Sequence, residues 1–140
     1  MQKAQTKLNE YLSQLTELLG WAYPRLVNSH QLQFKPCFGA VAGYVRGNIF
    51  ISCGTFGVAL RLPSDVLLDL FNGDIATRLR YFRNGHIKTE YAVLSSVILD
   101  DRARFMDLLN KSLKYARSAR PNDPKRKRRR SIWKFIGLAL

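Results

Sequence analysis

The strongest chemical signal in this sequence is a run of positive charge near its carboxyl end. Six consecutive basic residues occur there: Lys125, Arg126, Lys127, Arg128, Arg129 and Arg130. Each cationic side chain in such a run is able to neutralise one phosphate of a nucleic acid. An apolar segment follows, with the bulky residues Ile132, Trp133, Phe135 and Ile136. The combination predicts a segment that binds polyanions.

Three kinds of partner fit this segment. A run of cations is typical of nucleic-acid binding, in which phosphate contacts give an affinity that falls steeply with salt and reads base sequence poorly. Cations beside bulky apolar residues are also typical of an anchor on an anionic membrane surface. The segment is equally suited to dock in a groove of a partner protein or on the chain's own sheet. All three stay open, with nucleic acid placed ahead of the membrane.

A second group of cations surrounds the Asn84-Gly85 dipeptide. Its members are Arg78, Arg80, Arg83 and Lys88. Asn-Gly is a strong signal for a two-residue hairpin turn, so these cations are predicted to surround the last hairpin. We expect them to form a second patch for phosphate groups.

The net charge of +13, from 23 Lys and Arg against 10 Asp and Glu, is unevenly distributed. Residues 120–140 hold eight basic residues and one acid, whereas residues 1–119 hold fifteen and nine. We therefore expect residues 1–119 to form one domain that is only moderately basic. Residues 120–140 are expected to be a basic and apolar tail that folding does not require.

Side chains with catalytic or metal-binding chemistry are scattered along the chain. His30 and His86 have no second ligand at a suitable spacing, so no zinc site is predicted. Cys37 and Cys53 are expected to be free thiols, because the predicted strand register separates them too far for a disulfide. The acids fall mainly on predicted helix exteriors. We therefore predict a non-enzyme with no cofactor, no metal and no small-molecule substrate.

Three helices are predicted from the spacing of apolar residues. The first covers residues 4–19, with Gly20 as its C-terminal cap. A short helix starts at Pro63-Ser64-Asp65 and ends at Asn72-Gly73. The last covers residues 101–118, with Asp100 as its N-cap.

Five strands are predicted from short segments rich in Val, Ile, Phe and Tyr that turn residues separate. They cover residues 37–46, 49–54, 57–62, 79–82 and 87–94. Residues 24–35 are predicted to be a loop. The order of helix, three strands, helix, two strands and helix predicts a two-layer α+β domain, with helices on one face of an antiparallel five-stranded sheet.

A predicted register assigns side chains of the first three strands to two faces. With Gly47-Asn48 as the turn, Tyr44 faces Ile51 and Ala42 faces Cys53; a second loop of four residues places Cys53 opposite Val58. The face under the helices then carries Ala40, Ala42, Tyr44, Ile49, Ile51, Cys53, Val58, Leu60 and Leu62. The other face carries Gly39, Val41, Gly43, Val45, Phe50, Ser52, Ala59 and Arg61. That second face is either half-solvated or a docking surface for a partner or a second copy of the chain, which would make a homo-oligomer.

The stretch FKPCFGAVAGYVRGNIFISC, residues 34–53, resembles the opening of the TfoX (Sxy) N-terminal domain. That family typically has a Met-Phe-Gly-Gly-like step, then Gly-x-Tyr, a Gly turn and a Phe-rich strand. Cys37-Phe38-Gly39-Ala40 fills the first step, and Gly43 with Tyr44 overlaps the second. Gly47 and Phe50 fit the turn and the strand.

Later segments extend the resemblance to roughly residues 5–118. Val58–Pro63 resembles the family's strand that runs into a Lys-or-Arg-x-Pro step. Asn84-Gly85 followed by Glu90-Tyr91-Ala92-Val93-Leu94 looks like its Gly…Glu-Tyr-x-x-Leu segment, and Asp100–Ala116 looks like its closing helix. Ala40 stands where the family has the second glycine of a pair, and Ser95 stands where it has a proline.

The resemblance implies the α-β(3)-α-β(2)-α fold that is also seen in secretion-chaperone-like domains. It further implies a non-enzymatic regulatory or adaptor role in transcription, including DNA binding and bacterial competence control alongside the cyclic-AMP receptor protein. The implied partners are therefore nucleic acid or transcription proteins. Family regulators often carry a second, helical domain where this chain has its basic and apolar tail.

Hydropathy gives an expectation about location. The sequence has no apolar run of about 18 residues, the length that a membrane-spanning helix needs. Its first residues lack the apolar core of a signal peptide. We therefore expect a cytoplasmic protein.

Overall fold

Helices and antiparallel strands alternate along the chain in the computed structural model, which describes residues 2–82 and 84–119. The elements are, in order, α1 (Gln2–Ala22), α2 (Pro24–Val27), β1 (Leu32–Cys37), β2 (Ala40–Val45), β3 (Asn48–Gly54), β4 (Gly57–Arg61), α3 (Ser64–Asn72), β5 (Ala76–Leu79), β6 (Lys88–Leu94), α4 (Ser96–Leu99) and α5 (Arg102–Ser118). The predicted α+β class is confirmed. Within these residues the strands form one open antiparallel sheet of six, in the order β1-β2-β3-β4-β6-β5.

The predicted count of five strands is wrong, because β1 begins inside the predicted loop of residues 24–35 and ends at Cys37, the first residue of the predicted strand 37–46. It pairs with β2 from Leu32 opposite Val45 to Cys37 opposite Ala40. Pro36 lies inside β1, where the sequence pattern argued against a strand. An edge strand tolerates proline because one side of its backbone makes no ladder hydrogen bonds, and β1 is an edge of this sheet.

The hairpin turn between β2 and β3 lies one residue earlier than predicted. Val45 pairs with Asn48, so Arg46 and Gly47 form the turn, with φ angles of 53° and 78°. Two successive residues with positive φ are typical of the type I′ turn, whose twist matches that of paired strands. Asn48 is therefore a strand residue, and the predicted pairings of β2 with β3 are displaced.

A bulge changes the faces of β2 and β3 further. Gly43 pairs with Ile51 and Tyr44 with Ile49, which leaves Phe50 as an extra residue in β3. A bulge turns the side chains before it relative to those after it, and Phe50 is fully buried in the core. Gly43 is required at this point, because a Cβ atom there would lie 2.8 Å from a methyl carbon of Ile51.

The predicted core face is correct on one part of the sheet and wrong on the other. Correctly assigned to the core are Ile51, Cys53, Val58, Leu60 and Leu62, and the predicted pairing of Cys53 with Val58 is confirmed. Wrongly assigned to it are Ala40, Ala42, Tyr44 and Ile49, because the earlier turn and the bulge reverse β2. Val41 and Val45 take their place in the core.

The helices cover one face of the sheet. α1 and α5 contact each other and both contact β3, while α3 contacts β5 and β6. Leu15 and Leu19 of α1 and Phe105 and Leu109 of α5 are fully buried in the shared core. Burying each such side chain contributes about 1.5–3 kcal/mol, so this layer stabilises the position of the sheet.

Helix ends differ slightly from the predictions. α1 continues through the predicted cap Gly20 to Ala22. The N-cap of α5 is Asp101 and not Asp100; its carboxylate accepts a hydrogen bond from the Arg104 backbone N–H at 3.2 Å. Such a cap satisfies one of the free donors at a helix start.

The last strand pair is also shifted. β5 ends at Leu79, which pairs with Lys88, so residues 80–87 form one long connection. The predicted strand over residues 79–82 and the two-residue Asn84-Gly85 hairpin are therefore wrong. Gly85 instead closes a local turn, in which its N–H donates to the Phe82 carbonyl oxygen at 2.9 Å.

Both cysteines are free, and Cys53 is buried, as predicted. The Cys53 thiol donates to the Gln14 side-chain oxygen at 3.0 Å, and burial raises its pKa to about 11. Among the helices described here, none has the length and hydropathy needed to cross a membrane.

Candidate nucleic-acid interface

Most of the predicted binding residues lie outside the described part of the chain. These are Arg83 and, from the tail, Lys125–Arg130, Ile132, Trp133, Phe135 and Ile136. The structure describes the other three predicted cations, Arg78, Arg80 and Lys88, and all three are exposed. The interface is therefore built here from this trio and its surroundings.

The three described cations carry uncompensated charge. Within residues 2–82 and 84–119 the salt bridges join Arg61 to Glu90 and Lys111 to Asp107, so none of Arg78, Arg80 and Lys88 belongs to one. Their partners are neutral groups, aromatic rings and a backbone carbonyl. Their positive charge is thus available to an anion.

Arg78 and Arg80 leave β5 in different environments. The guanidinium of Arg78 lies 4.7 Å from the centre of the Phe71 ring of α3, a cation–π distance. Arg80 reaches across the long connection, and its Nη1 atom donates to the Gly85 carbonyl oxygen at 3.3 Å. Among the described residues, no contact joins Arg78 to Arg80, so the structure does not show the two cations as one patch.

Lys88 lies against a group of four aromatic rings, Phe38, Phe56, Tyr81 and Phe82, which we call the aromatic cluster. Its Nζ atom lies 5.7 Å from the centre of the Phe38 ring and 5.9 Å from that of Tyr81. The Phe38 ring centre lies 5.5 Å from that of Tyr81 and 6.1 Å from that of Phe82. Tyr81 also contacts Phe56 edge-on, with 5.5 Å between ring centres. One cation and four rings therefore form a continuous surface.

Two rings of the aromatic cluster face solvent. Phe38 is 61 % exposed and Phe82 is 60 % exposed. Exposed aromatic rings that contact each other are unusual on a soluble domain and indicate a binding surface. The predictions missed both rings, because Phe38 lies in a segment interpreted as a strand and Phe82 in another.

The backbone fixes Phe38 in this position. It is the first residue of the turn between β1 and β2, with a φ of 49°, and Gly39 follows with a φ of 78°. Residues other than Gly, Asn and Asp rarely adopt positive φ, so the phenylalanine is held in a strained conformation. The glycine after Phe38, in the sequence Cys-Phe-Gly-Ala, was the signal in the sequence that could have predicted a tight turn here.

Tyr81 attaches the aromatic cluster to the outer face of the sheet, the face opposite the helices. Its hydroxyl group lies beside the side chains of Ser52 and Cys37, and Ser52 is fully buried. Burial raises the pKa of the Tyr81 hydroxyl to about 12. The long connection thus covers part of the face that the sequence left open to solvent or a partner.

A cleft of about 560 Å3 occupies another part of the outer face. It is lined by Tyr44, Tyr91 and the ion pair of Arg61 with Glu90. The Arg61 Nε atom lies 3.0 Å from Glu90 Oε2, and the Tyr115 hydroxyl donates to Glu90 Oε1 at 2.8 Å. Burial alone would raise the pKa of Glu90, but the hydrogen bonds from Tyr115 and Arg61 outweigh it and hold the pKa below its usual range.

The C-terminal end of α5 is held against the first residue of β3, Asn48. The Asn48 side-chain amide donates to the Ala116 carbonyl oxygen at 3.0 Å and to that of Ala119 at 3.3 Å. These carbonyls have no partner within the helix, and such groups need a donor at a helix end. Ala119, the last described residue, is therefore held beside the turn between β2 and β3.

The side chains of this interface are of types that bind anions and aromatic rings. Among the described residues, no three His, Cys, Asp or Glu side chains come together in a group that could hold a metal ion. The surface offers aromatic rings, an ammonium group and guanidinium groups. These groups bind anions and flat apolar rings.

The sequence matches no protein-family model and no curated protein. The resemblance to the TfoX N-terminal domain therefore depends on the short motifs quoted above. A function for this chain has to be argued from the interface itself.

Proposed function

We propose that this chain is a cytoplasmic, non-enzymatic regulatory or adaptor protein, similar to TfoX N-terminal domain proteins, that binds nucleic acid. The observation that carries the proposal is the set of exposed cations at Arg78, Arg80 and Lys88, which lack salt bridges within the described residues. A surface that combines uncompensated cations with exposed rings is typical of proteins that bind nucleic-acid strands. The six cations of Lys125–Arg130 add to it in sequence.

The fold supports the family part of this proposal. Without the edge strand β1 and the four-residue helices α2 and α4, the element order is α-β(3)-α-β(2)-α. That is the order implied by the TfoX-like and secretion-chaperone-like resemblance. We further propose that this binding serves a role in transcription, including competence control, as the family resemblance implies.

Salt-dependent binding of the full-length chain to a labelled oligonucleotide tests the proposal. The triple variant Arg78→Gln, Arg80→Gln and Lys88→Gln should flatten the plot of log affinity against log salt. Loss of three phosphate contacts lowers the slope by about two for a single strand, because each contributes about 0.7. The matched control neutralises three exposed cations on the helices, Lys3, Lys7 and Lys114, and leaves the slope unchanged.

Two outcomes would contradict a nucleic-acid interface at Arg78, Arg80 and Lys88. One is a wild-type chain that binds no oligonucleotide at low salt but binds phosphatidylserine vesicles, which would favour the membrane role. The other is equal loss in the triple variant and its control, which would mean that net charge alone attracts the ligand.

A further inference from the structure

We infer that the aromatic cluster stacks on an unpaired base, so that the nucleic acid bound by this chain is single-stranded. This inference rests on the proposed function and specifies its ligand. The site is a cleft of about 180 Å3 that is lined by Phe38 and Phe82 together with Tyr81, Gly85, His86 and Lys88. None of the described residues that line it carries a carboxylate.

The size and lining of the cleft suit one planar heterocycle. A cavity of about 150 Å3 lined by apolar side chains is known to hold a benzene ring. The rings of Phe38 and Phe82 lie edge to face, with an angle of 71° between their planes, so the exposed face of one and the edge of the other border the cleft. A base that enters would stack on one ring and contact the edge of the second.

Charge around the cleft matches a nucleotide. The Lys88 ammonium lies over the rings of Phe38 and Tyr81, where it is close enough to pair with the phosphate of a stacked nucleotide. Arg80 lies on the same connection and makes its described hydrogen bond to Gly85, a residue that lines the cleft. An apolar cleft rimmed by cations and lacking carboxylates favours an aromatic anion over a neutral apolar ligand.

Residues from two parts of the fold line the cleft: the turn between β1 and β2, and the connection between β5 and β6. The turn that carries Phe38 joins β1 and β2, and Tyr81 fixes the connection to the outer face through contacts with Phe38 and Phe56. Aromatic platforms that are preorganised in this way lose little entropy when a base stacks on them. The strained φ of Phe38 keeps its ring on the surface.

Single strands fit this site better than duplexes. In a duplex the faces of the bases are covered by their neighbours, whereas an unpaired base offers a free face to an aromatic side chain. Stacking of this kind tolerates any base, which agrees with a surface that has few hydrogen-bonding groups directed at base edges. We therefore expect preference for single strands without strong sequence preference.

The test compares two probes at one salt concentration: an oligothymidine of about 15 nucleotides, a length typical of single-strand sites, and a blunt duplex of the same length. Full-length Phe38→Ala and Phe82→Ala should each weaken oligothymidine binding by roughly fivefold to 150-fold, the range for loss of one stacking platform. Duplex affinity should change by less than about twofold, and the salt slope should stay constant, because no phosphate contact is removed.

Matched controls keep the result specific. Leu68→Ala in α3 and Val97→Ala in α4 remove apolar side chains that are 57 % and 58 % exposed, away from the cluster, and should leave both affinities unchanged. Phe82→Trp replaces the phenyl ring by a larger indole ring and should retain or improve oligothymidine affinity. This variant tests base stacking even if the alanine variants fail to fold. Its added indole fluorescence should be quenched by oligothymidine and not by duplex.

The failures of the two proposals differ. If the alanine variants bind oligothymidine like wild type while the triple cation variant still flattens the salt slope, base stacking is wrong and nucleic-acid binding stands. If wild type binds neither probe, both are wrong. If Phe38→Ala and Phe82→Ala reduce binding to phosphatidylserine vesicles and not to oligothymidine, the cluster is a membrane contact and the inference is overturned.

Discussion

The Nε atom of Arg61 lies 3.0 Å from Oε2 of Glu90, so the end of β4 is paired with the first half of β6. These two residues belong to two different motifs that carry the family resemblance, the Arg-x-Pro step and the Glu-Tyr-x-x-Leu segment. Tyr115 adds a third element through its hydrogen bond to the other Glu90 oxygen. The motifs are thus parts of one contact that joins the sheet to α5.

Replacing Glu90 by Gln should destabilise the domain. The variant keeps an acceptor for Tyr115 but loses the charge that faces Arg61. Hydrogen bonds to charged groups usually contribute about 1.5–3 kcal/mol. Because the Glu90 side chain is 46 % exposed, we expect solvent to reduce the loss to about 1 kcal/mol in the free energy of unfolding, measured in urea.

A matched surface pair provides the control for that experiment. Asp107 and Lys111 form an i,i+4 salt bridge of 3.1 Å on the exposed side of α5. Asp107→Asn should change the free energy of unfolding by less than about 0.5 kcal/mol. Equal losses in the two variants would mean that the partly buried contact of Glu90 with Arg61 contributes no more to the free energy of unfolding than an exposed salt bridge does.

The contribution of Glu90 should depend on pH in a defined direction. Its folded pKa lies below the ordinary value of 4.5, so the folded state favours the charged carboxylate. Such a group stabilises the fold above its unfolded pKa, and the contribution disappears as the pH falls through the folded pKa. The difference between wild type and Glu90→Gln in the free energy of unfolding should be constant near neutral pH and shrink below about pH 4.5. A difference that grows in acid would contradict the assignment.

Asn48→Ala should release the end of α5 from the sheet. The change removes both hydrogen bonds to the carbonyl oxygens of Ala116 and Ala119, at a cost of about 1–2 kcal/mol in the free energy of unfolding. Amide hydrogen exchange in the last turn of α5 should accelerate more than exchange in its first turns. Asn110→Ala, on an exposed position of the same helix, is the control and should change stability by at most about 0.5 kcal/mol. Uniformly faster exchange along α5 would argue against a local anchor.

Neutralising the tail cations should separate binding from folding. Replacing Lys125–Arg130 by Gln in the full chain removes up to six phosphate contacts, which flattens the plot of log affinity against log salt by up to about five for a duplex and about four for a single strand. The thermal midpoint should barely change. A variant that exchanges Lys and Arg within the run keeps its charge and should keep the wild-type slope. If the variant instead loses several kcal/mol of stability while the salt slope stays unchanged, the tail contributes to folding and the prediction is wrong.

Helices and central strands were predictable because their signals are long or repeated. Leu15 and Leu19 repeat at helical spacing in α1, and the alternation of Ile51 with Cys53 assigns the core face of β3 correctly. β1 was not predictable, because Pro36 argues against a strand unless the strand is known to be at an edge. Whether a strand lies at an edge depends on its neighbours and not on its own residues.

The turn and the binding surface show a second limit. Both Arg46-Gly47 and Gly47-Asn48 are compatible with a two-residue turn, and only the complete set of pairs decides between them. The cations Arg78, Arg80 and Lys88 were found because charge is visible in sequence. Phe38 and Phe82 were missed because an exposed ring cannot be distinguished from a buried one until the long connection folds across the sheet.

The anchor between Asn48 and Ala119 fixes how far the last described residue lies from the proposed base-stacking cleft. Phe38 lies at the start of β2 and Asn48 lies beyond its end, so the strand Ala40–Val45 separates the base-stacking cleft from the point where the tail begins. Five strand steps span on the order of 17 Å, the rise of about five stacked nucleotides at 3.4 Å each. If the proposed function holds, an oligonucleotide shorter than this span would reach only the cleft or only Ala119, after which the tail cations follow in sequence. A longer oligonucleotide would make its second contact intramolecularly, so affinity should rise with length through avidity.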